Sequence, residues 1–214
     1  MNEQVIGYIE SIVKERPSLV SEMERYAVVH SVPIMELVGI EALIGMLRIQ
    51  QPKRILEIGT AIGYSALRMA GALPEAKVIT IERDEERFEA AQGFLSRSED
   101  GNRVVAILGD ALELSREVEK HGPYDAIFID AAKGQYLKFF ELYSTMLSDN
   151  GVVYSDNVLF KGLVAEGQVE QKRIRNMVKK LQNYNAWLMN HAQFDTSILP
   201  VGDGIAISKK RGEL

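Results

Sequence analysis

The stretch that decides the fold is an apolar segment that runs into a glycine-bearing turn and then into a helical pattern. It reads Ile55-Leu56-Glu57-Ile58-Gly59-Thr60-Ala61-Ile62-Gly63-Tyr64-Ser65. Glycine in the turn lets the backbone approach a ligand closely, and the free amides at the start of a helix suit a carboxylate or a phosphate. The spacing, Glu-x-Gly-x-x-x-Gly, differs from the Gly-x-Gly-x-x-Gly of dinucleotide sites. The stretch therefore predicts a strand, a turn and a helix around a nucleoside-type ligand.

Downstream of this stretch, short apolar segments alternate with amphipathic ones. Candidate strands lie at 54–58, 77–81, 104–108, 126–129 and 152–154. This alternation is typical of a parallel sheet covered on both faces by helices. After a long polar helix, predicted at 170–191, candidate strands at 196–200 and 204–208 are joined by Val-Gly-Asp, which indicates an antiparallel pair. We therefore expect an α/β fold with a doubly wound, seven-stranded, mostly parallel sheet that contains one antiparallel strand.

Upstream of the stretch, the first 50 residues have the pattern of helices. Apolar residues recur at helical spacing in 5–13, 19–29 and 35–49, and Pro17 and Pro33 stand in the gaps. No repeat, low-complexity tract or flexible linker separates this part from the rest of the chain. We expect one domain over residues 1–214, with residues 1–50 as an N-terminal helical addition.

Composition excludes several classes of protein. The 214 residues are enough for one well-buried core, and the absence of cysteine excludes disulfides, thiolate metal ligands and cysteine nucleophiles. No apolar run approaches the roughly 20 residues that cross a bilayer, and charged residues interrupt the pattern that a signal peptide would need. The net charge of -5 argues against a large, non-specific nucleic-acid clamp. We expect a cytoplasmic protein without membrane contact.

Acidic residues follow the next two predicted strands. Glu82 lies nineteen residues after Gly63, where its carboxylate can accept hydrogen bonds from both hydroxyls of a ribose. Asp110 follows the third strand, where it can accept a hydrogen bond from an adenine amino group. Taken singly, each could be a solvated strand-end residue and the glycines an ordinary turn. All fall at the carboxyl ends of consecutive strands, the edge at which open α/β sheets bind ligands, and this favours a nucleoside-type cofactor.

The fourth and fifth predicted strands end in further oxygen donors. Asp130 follows the fourth strand, and Asp156 and Asn157 follow the fifth. Two carboxylates and a carboxamide suit magnesium, calcium or manganese better than zinc. An isolated aspartate is more often a cap or a turn residue, but three oxygens beside one cofactor site favour a metal. Lys133 lies close enough in sequence to place its ammonium near that ion, where it can act as a general base rather than as a solvated surface lysine.

Four runs of residues carry a resemblance to a known family. They are Leu-Glu-Ile-Gly-Thr-x-x-Gly-Tyr-Ser at 56–65, Ile-Asp-Ala-Ala-Lys at 129–133, Asp-Asn-Val-Leu-Phe-Lys-Gly at 156–162 and Leu-Pro-Val-Gly-Asp-Gly at 199–204. Over nearly its whole length the chain resembles the metal-dependent O-methyltransferases of the caffeoyl-coenzyme A and catechol type. The resemblance implies a Rossmann-like methyltransferase fold, S-adenosylmethionine and magnesium (or another divalent cation) as cofactors, and a homodimer.

The resemblance also implies roles for individual residues. Lys133 would be the catalytic base, and Asp130, Asp156 and Asn157 would hold the metal. The S-adenosylmethionine site would be lined by Met35, Glu57, Gly59, Ser65, Glu82, Asp110, Ala111 and Asp130.

Within this family the chain is most similar to bacterial tRNA 5-hydroxyuridine methyltransferases. The runs at 156–166 and 184–191 carry that likeness, which implies 5-methoxyuridine at the wobble position as the product and the tRNA anticodon arm as the partner. A 5-hydroxyuracil presents its 5-oxygen next to the 4-carbonyl, so it can chelate a metal as a catechol does. Two alternatives stay open: an enzyme acting on catechols or hydroxyphenylpropanoids, and a regulatory module that binds S-adenosylmethionine without catalysis.

A tRNA substrate requires cations that contact phosphates. The candidates are Lys172, Arg173, Arg175, Lys179 and Lys180 in the long helix, with Lys209, Lys210 and Arg211 near the end of the chain. A solvated helix face would carry the same charges. Tyr184 and Trp187 could stack on bases, although core or dimer contacts are the commoner fate of aromatic residues on a helix. The segment 160–168 is expected to be a loop near the metal.

Overall fold

A seven-stranded sheet forms the centre of the molecule. The computed structural model describes residues 3–166 and 170–212. The strands are β1 (Arg54–Ile58), β2 (Lys77–Glu82), β3 (Val104–Leu108), β4 (Tyr124–Ile129), β5 (Leu147–Ser155), β6 (Phe194–Leu199) and β7 (Ile205–Lys210), and their order is β3-β2-β1-β4-β5-β7-β6. Strands β1 to β5 are parallel, whereas β7 runs antiparallel to both of its neighbours. The predicted sheet is confirmed, and the structure adds that the last strand lies inside the sheet, between β5 and β6.

Helices cover both faces of this sheet. They are α1 (Glu3–Ile12), α2 (Ser18–Val29), α3 (Leu37–Gln50), α4 (Tyr64–Ala72), α5 (Glu85–Leu95), α6 (Ser115–Glu119), α7 (Tyr136–Tyr143) and α8 (Lys172–Met189). One core packs α2, α3 and α4 against the sheet, and a second core packs α7 and α8 against the other face. The central strands are buried on both sides, which explains why their sequences are apolar without alternation.

The N-terminal helices are tied to α4 by polar contacts as well as by the core. Arg16 pairs with Glu24 at 3.0 Å, and Glu24 also accepts a hydrogen bond from the Tyr64 hydroxyl at 2.9 Å. Arg68 of α4 pairs with Glu41 of α3. Helix α1, in contrast, buries none of its residues. None of the helices in the described parts of the chain has the length and apolar character needed to cross a membrane.

The connection between β6 and β7 packs against the segment that follows β5. The backbone amides of Val158 and Leu159 donate to the carbonyls of Gly204 and Asp203, at 3.0 and 2.9 Å. Gly204 has a φ of +90°, and a Cβ atom there would lie 2.4 Å from Cγ of Leu159. Only glycine allows this close approach, which brings the Asp203 turn to the same sheet edge as the end of β5.

Candidate active site

A cavity of about 530 Å³ lies at the carboxyl ends of the parallel strands. Backbone hydrogen bonds continue the sheet into its floor: the amide of Gly59 donates to Ile81, that of Asp130 to Ile58, and that of Asp156 to Ile129, each at 3.0 Å. Three loops are thereby held side by side. The cavity has the size of a typical small-molecule site, and its walls bring together all but one of the predicted cofactor, metal and catalytic residues.

Gly59 allows two of these loops to touch. Its φ is +107°, and a Cβ atom at this position would lie 2.0 Å from the carbonyl oxygen of Asp130. No side chain fits there without displacing the backbone of the β4 loop. Gly59 therefore serves the approach of one loop to another as well as the approach of a ligand.

The acidic residues of β2 and β3 define one end of the cavity. One carboxylate oxygen of Glu82 accepts from the amide of Ala61 at 2.8 Å, and the other accepts from the amides of Arg83 and Asp84 at 3.0 Å. Asp110 accepts from the amide of Leu112 at 2.9 Å. Both carboxylates are thus held in place by backbone amides while they face the cavity, which suits the recognition of a ribose and an adenine.

Glu57 is the predicted cofactor residue that does not line the cavity. Its side chain is fully buried, and it accepts hydrogen bonds from the hydroxyls of Ser65 and of Thr80, the latter at 2.5 Å. Burial raises the pKa of Glu57 to about 8, against the opposing effect of these two hydroxyl donors. Glu57 therefore lies behind Ser65, which lines the cavity itself. The strand period points this side chain to the face of the sheet that α4 covers, rather than to the cavity at the edge of the sheet.

The predicted metal ligands and Lys133 meet at the other end of the cavity. Lys133 Nζ donates to Oδ1 of Asn157 at 2.6 Å, and Nδ2 of Asn157 donates to Asp156 at 3.1 Å. Lys133 Nζ also lies 5.8 Å from the centre of the Phe160 ring. Asn157 has a φ of +55°, a conformation that asparagine tolerates better than most residues.

The electrostatics of this cluster suit a divalent cation. Burial raises the pKa of the Asp156 carboxyl, and the neighbouring Asp130 raises it further. Burial also raises the pKa of Asp130, against the lowering effect of Lys133. Two buried carboxylates that repel one another gain stability from an added positive charge. Within residues 3–166 and 170–212, no three His, Cys, Asp or Glu side chains form a metal group, so the donor set depends on the carboxamide of Asn157.

Sequence reasoning missed several residues of the cavity wall, two of which carry charge close to the predicted cluster or in the loop after it. Asp203, in the turn between β6 and β7, is close enough to raise the pKa of both Asp130 and Asp156. Lys161 also lines the cavity and has a φ of +56°. Both lie in runs that carry the family resemblance, at 199–204 and 156–162. The segment predicted as a loop at 160–168 begins as the turn Phe160–Ala165, and its last two residues lie outside the described part of the chain.

The predicted phosphate contacts fall into two groups. Lys172, Arg173, Arg175, Lys179 and Lys180 are exposed on α8, which packs against the turn Lys133–Gln135. A Cβ atom on Gly134 would lie 3.1 Å from Lys180 Nζ, so this ammonium borders the cavity loop. This group is compatible with a substrate that enters the cavity.

The cations near the end of the chain are placed elsewhere, and this placement does not favour the prediction that they contact phosphates. Because β7 runs antiparallel to β5, Lys209 lies beside Val152. Val152 is three residues before the end of β5, and Asp156 follows that end. Its ammonium donates to Asn150 at 3.2 Å, Lys210 donates to the carbonyl of Leu147, and Arg211 pairs with Asp195 at 2.7 Å. These side chains lie at the opposite edge of the sheet from the cavity.

The two aromatic residues of α8 pack against the core, which does not favour their stacking on bases. Tyr184 is buried, and its hydroxyl shares a hydrogen bond of 2.7 Å with Ser155. Trp187 is partly buried and packs edge to face on Phe140, with the ring centres 5.1 Å apart. Both belong to the core beneath α8, which is the commoner fate of such residues.

Comparisons with known proteins agree on one family. A family model described as O-methyltransferase matches residues 10–211. A catechol O-methyltransferase of Niastella koreensis is 32% identical over 166 residues, covering 74% of this chain and 73% of that protein. A crystal structure of a candidate caffeoyl-CoA O-methyltransferase from Staphylococcus aureus is 38% identical, with a TM-score of 0.88 and coverage of 97% and 98%. A methyltransferase of Podospora anserina bound to S-adenosylhomocysteine is 26% identical, with a TM-score of 0.84 and coverage of 98% and 94%.

Proposed function

Because the chain belongs to the O-methyltransferase family and is an S-adenosylmethionine-dependent enzyme, we propose that it methylates a hydroxyl held by a divalent cation at Asp130, Asp156 and Asn157. The observation that carries this proposal is the meeting of those three oxygen donors with Lys133 at one end of the cofactor cavity. Magnesium is the ion that we infer, because all the donors are hard oxygens and the substrate needs open positions.

The residues of the cavity divide the work. Glu82 and Asp110 bind the ribose and the adenine of the cofactor. Ser65, which donates a hydrogen bond to Glu57, lines the cavity wall beside the turn. S-Adenosylmethionine supplies an electrophilic methyl group, and the cation supplies a positive charge that lowers the pKa of the acceptor hydroxyl. Lys133, in its neutral amine form, takes the proton from that hydroxyl and becomes the ammonium, and Asn157 positions the lysine through the hydrogen bond of 2.6 Å. The site lowers the activation barrier for methyl transfer further by holding the methyl group and the acceptor oxygen in line.

For the acceptor, we infer the 5-hydroxyuridine of a tRNA anticodon arm. The supporting observation is the exposed row of cations on α8, a helix that packs directly against the loop of Lys133. A small target such as an anticodon loop needs only a few phosphate contacts, so this row is sufficient despite the net charge of -5. The second candidate is a small catechol-like acceptor. The similarity to catechol and caffeoyl-CoA enzymes favours it.

The experiment is methyl transfer from labelled S-adenosylmethionine, with magnesium, to tRNA containing 5-hydroxyuridine and to a simple catechol in parallel. The variant K172E/K179E should raise the KM for tRNA and leave the KM for catechol unchanged, because its charges contact only the larger substrate. The matched control K209E/K210E makes the same change of charge at the opposite edge of the sheet and should alter neither. Efficient turnover of catechol without labelling of tRNA would reject the tRNA assignment and keep the chemistry.

We also infer a homodimer. Helix α1 buries none of its side chains, and Tyr8 and Ile12 are exposed on it. On α2 and α3, Val28, Val29 and Ile49 are also each more than three-quarters exposed. Exposed apolar residues that form one patch commonly mark a protein interface. Light scattering after gel filtration should give twice the mass of 23.9 kDa, and a monomer at micromolar concentration would contradict the inference.

A further inference from the structure

Lys161 is a charged residue of the cavity wall that the proposed reaction does not use. It comes four residues after Asn157, in the turn Phe160–Ala165. Its side chain is exposed, and among the residues that the structure describes its ammonium has no hydrogen-bond or ion-pair partner. A cation that lines a ligand cavity in this way can bind an anionic group of the ligand by a charge-assisted hydrogen bond.

The backbone holds Lys161 in a conformation that side chains rarely adopt. Phe160, Lys161 and Gly162 have φ angles of +46°, +56° and +83°, a left-handed run that is unfavourable for residues with a Cβ atom. Hydrogen bonds maintain it: the amide of Phe160 donates to the carbonyls of Asn157 and Asp203, both at 3.2 Å. Strained backbone that is maintained by its surroundings is concentrated at ligand sites. The turn thus fixes Lys161 at the metal end of the cavity.

Lys161 lies at the same end of the cavity as the carboxylates without neutralising them. Leu159, two residues earlier, is hydrogen-bonded to the carbonyl of Asp203 at 2.9 Å, which places the turn beside the cluster. Lys133 lowers the pKa of Asp130, whereas Lys161 does not contribute to that pKa. The ammonium of Lys161 is therefore set back from the ligands of the cation, where it can meet a part of the substrate that lies beside the reacting oxygen.

The proposed acceptor carries an anion in the corresponding place. In a pyrimidine nucleotide with the ordinary anti conformation, the C5 edge of the base and the 5′-phosphate lie on the same side of the sugar. A 5-hydroxyuracil that chelates the cation therefore brings its own 5′-phosphate toward the wall beside the cluster, whereas the 3′-phosphate points away. Helix α8 packs against the same turn, and Gln182 donates to the carbonyl of Val164 at 2.8 Å. The turn thus joins the cavity to the exposed cations of α8.

We propose that Lys161 binds the 5′-phosphate of the nucleotide that is methylated and so distinguishes a nucleotide acceptor from a small phenol. This inference rests on the proposed uridine acceptor. The ammonium donates a hydrogen bond to a phosphate oxygen, and this contact sets the position of the base relative to the methyl group. A catechol has no anionic group at this position, so its binding does not depend on Lys161.

The test measures the binding of 5-hydroxyuridine, its 5′-monophosphate and its 3′-monophosphate by calorimetry, with magnesium and S-adenosylhomocysteine present so that no methyl group is transferred. We expect the wild-type protein to bind the 5′-monophosphate about 10-fold more tightly than the other two, as one hydrogen bond between charged groups provides. K161Q should remove this advantage and leave the Kd for the nucleoside unchanged, and K161R should keep most of it. The control K138Q removes an exposed lysine of α7 that does not line the cavity and should behave as the wild-type protein.

Four results would overturn the inference, each for a different reason. Equal binding of the nucleoside and its 5′-monophosphate by the wild-type protein excludes a phosphate site and leaves the proposed function intact. An advantage of the 5′-monophosphate that persists in K161Q assigns the phosphate to another group. Weaker binding of S-adenosylmethionine by K161Q, measured without acceptor, assigns the ammonium to the carboxylate of the cofactor. If the wild-type protein binds catechol but none of the three uridine ligands, the uridine acceptor itself fails, and the role of Lys161 fails with it.

Discussion

Replacing Glu57 by glutamine should make the protein more stable at neutral pH. Glutamine has the same shape and can exchange hydrogen bonds with the hydroxyls of Ser65 and Thr80, which now donate to the carboxylate. It cannot ionise. The folded protein disfavours ionisation of Glu57 because the side chain is fully buried and no positively charged group contributes to its pKa shift.

The magnitude follows from the pKa of Glu57, which folding raises from 4.5 to about 8. Between those values the unfolded chain has lost the proton while the folded protein keeps it. The stability contributed by the protonated carboxyl is therefore fully present below pH 4.5 and is lost as the pH rises to 8. At pH 7 the loss is about 3 kcal/mol, since each pKa unit corresponds to about 1.4 kcal/mol.

The assay is urea unfolding of the wild-type protein and E57Q, in chelator, at several pH values from 4.5 to 8. Asp130 and Asp156 also have raised pKa values, so the stability of both proteins should fall with pH. Only the difference between the two proteins isolates Glu57. It should grow by about 3 kcal/mol in favour of E57Q between pH 4.5 and 7.

A surface variant provides the control. Glu22 is exposed and pairs with Arg97 at 2.6 Å, which lowers its pKa, so E22Q should show a small change of the opposite sign. The reasoning is refuted if the difference between E57Q and the wild-type protein does not change with pH, or if it shifts in favour of the wild-type protein as the pH rises.

Three further predictions concern catalysis and the loops. Lys133→Ala should lower kcat by roughly 10²- to 10⁴-fold and leave the Kd for S-adenosylmethionine, measured by calorimetry, unchanged; an unchanged kcat would remove Lys133 from the mechanism. Asp156→Ala should abolish stimulation by magnesium in a methyl-transfer assay, and full activity of the wild-type protein in chelator would contradict the metal site. Gly59→Ala should lower the free energy of unfolding by about 3 kcal/mol or more, because the new Cβ atom would meet the Asp130 carbonyl at a positive φ. Gly45→Ala, in the interior of α3 with nothing within 4 Å of its Cβ position, should instead raise the free energy of unfolding by about 0.5–1 kcal/mol; similar thermal unfolding of the two variants would be evidence against the close approach of the loops.

The parts of the fold that could be predicted from the sequence are those that depend on the residues of a single strand and its following loop. A parallel strand that is buried on both faces must be almost entirely apolar, so β1 was predicted with the bounds that the structure has. The bounds of β3 were also predicted, although this edge strand is only partly buried. A chain that leaves each such strand through a helix returns to the same edge, so the residues after β1, β2, β4 and β5 had to converge. This rule places Asp130 and Asp156 at the same edge, and the pairing of β4 with β5 makes them neighbours. The sequence therefore determined the sheet, its functional edge and the principal oxygen donors.

Only the tertiary structure decided which side chains face the cavity and which lie behind it. Glu57 is buried between β1 and α4, where the hydroxyls of Ser65 and Thr80 reach it, and no local pattern distinguishes that from a cavity-lining carboxylate. The last strand inserts between β5 and β6, which reverses its direction and carries Lys209 away from the site. The burial of Tyr136 likewise depends on how α7 packs against the sheet. These features arise from contacts between segments that are distant in sequence. Packing decides how such segments are oriented, and the spacing of residues along the chain does not predict that orientation.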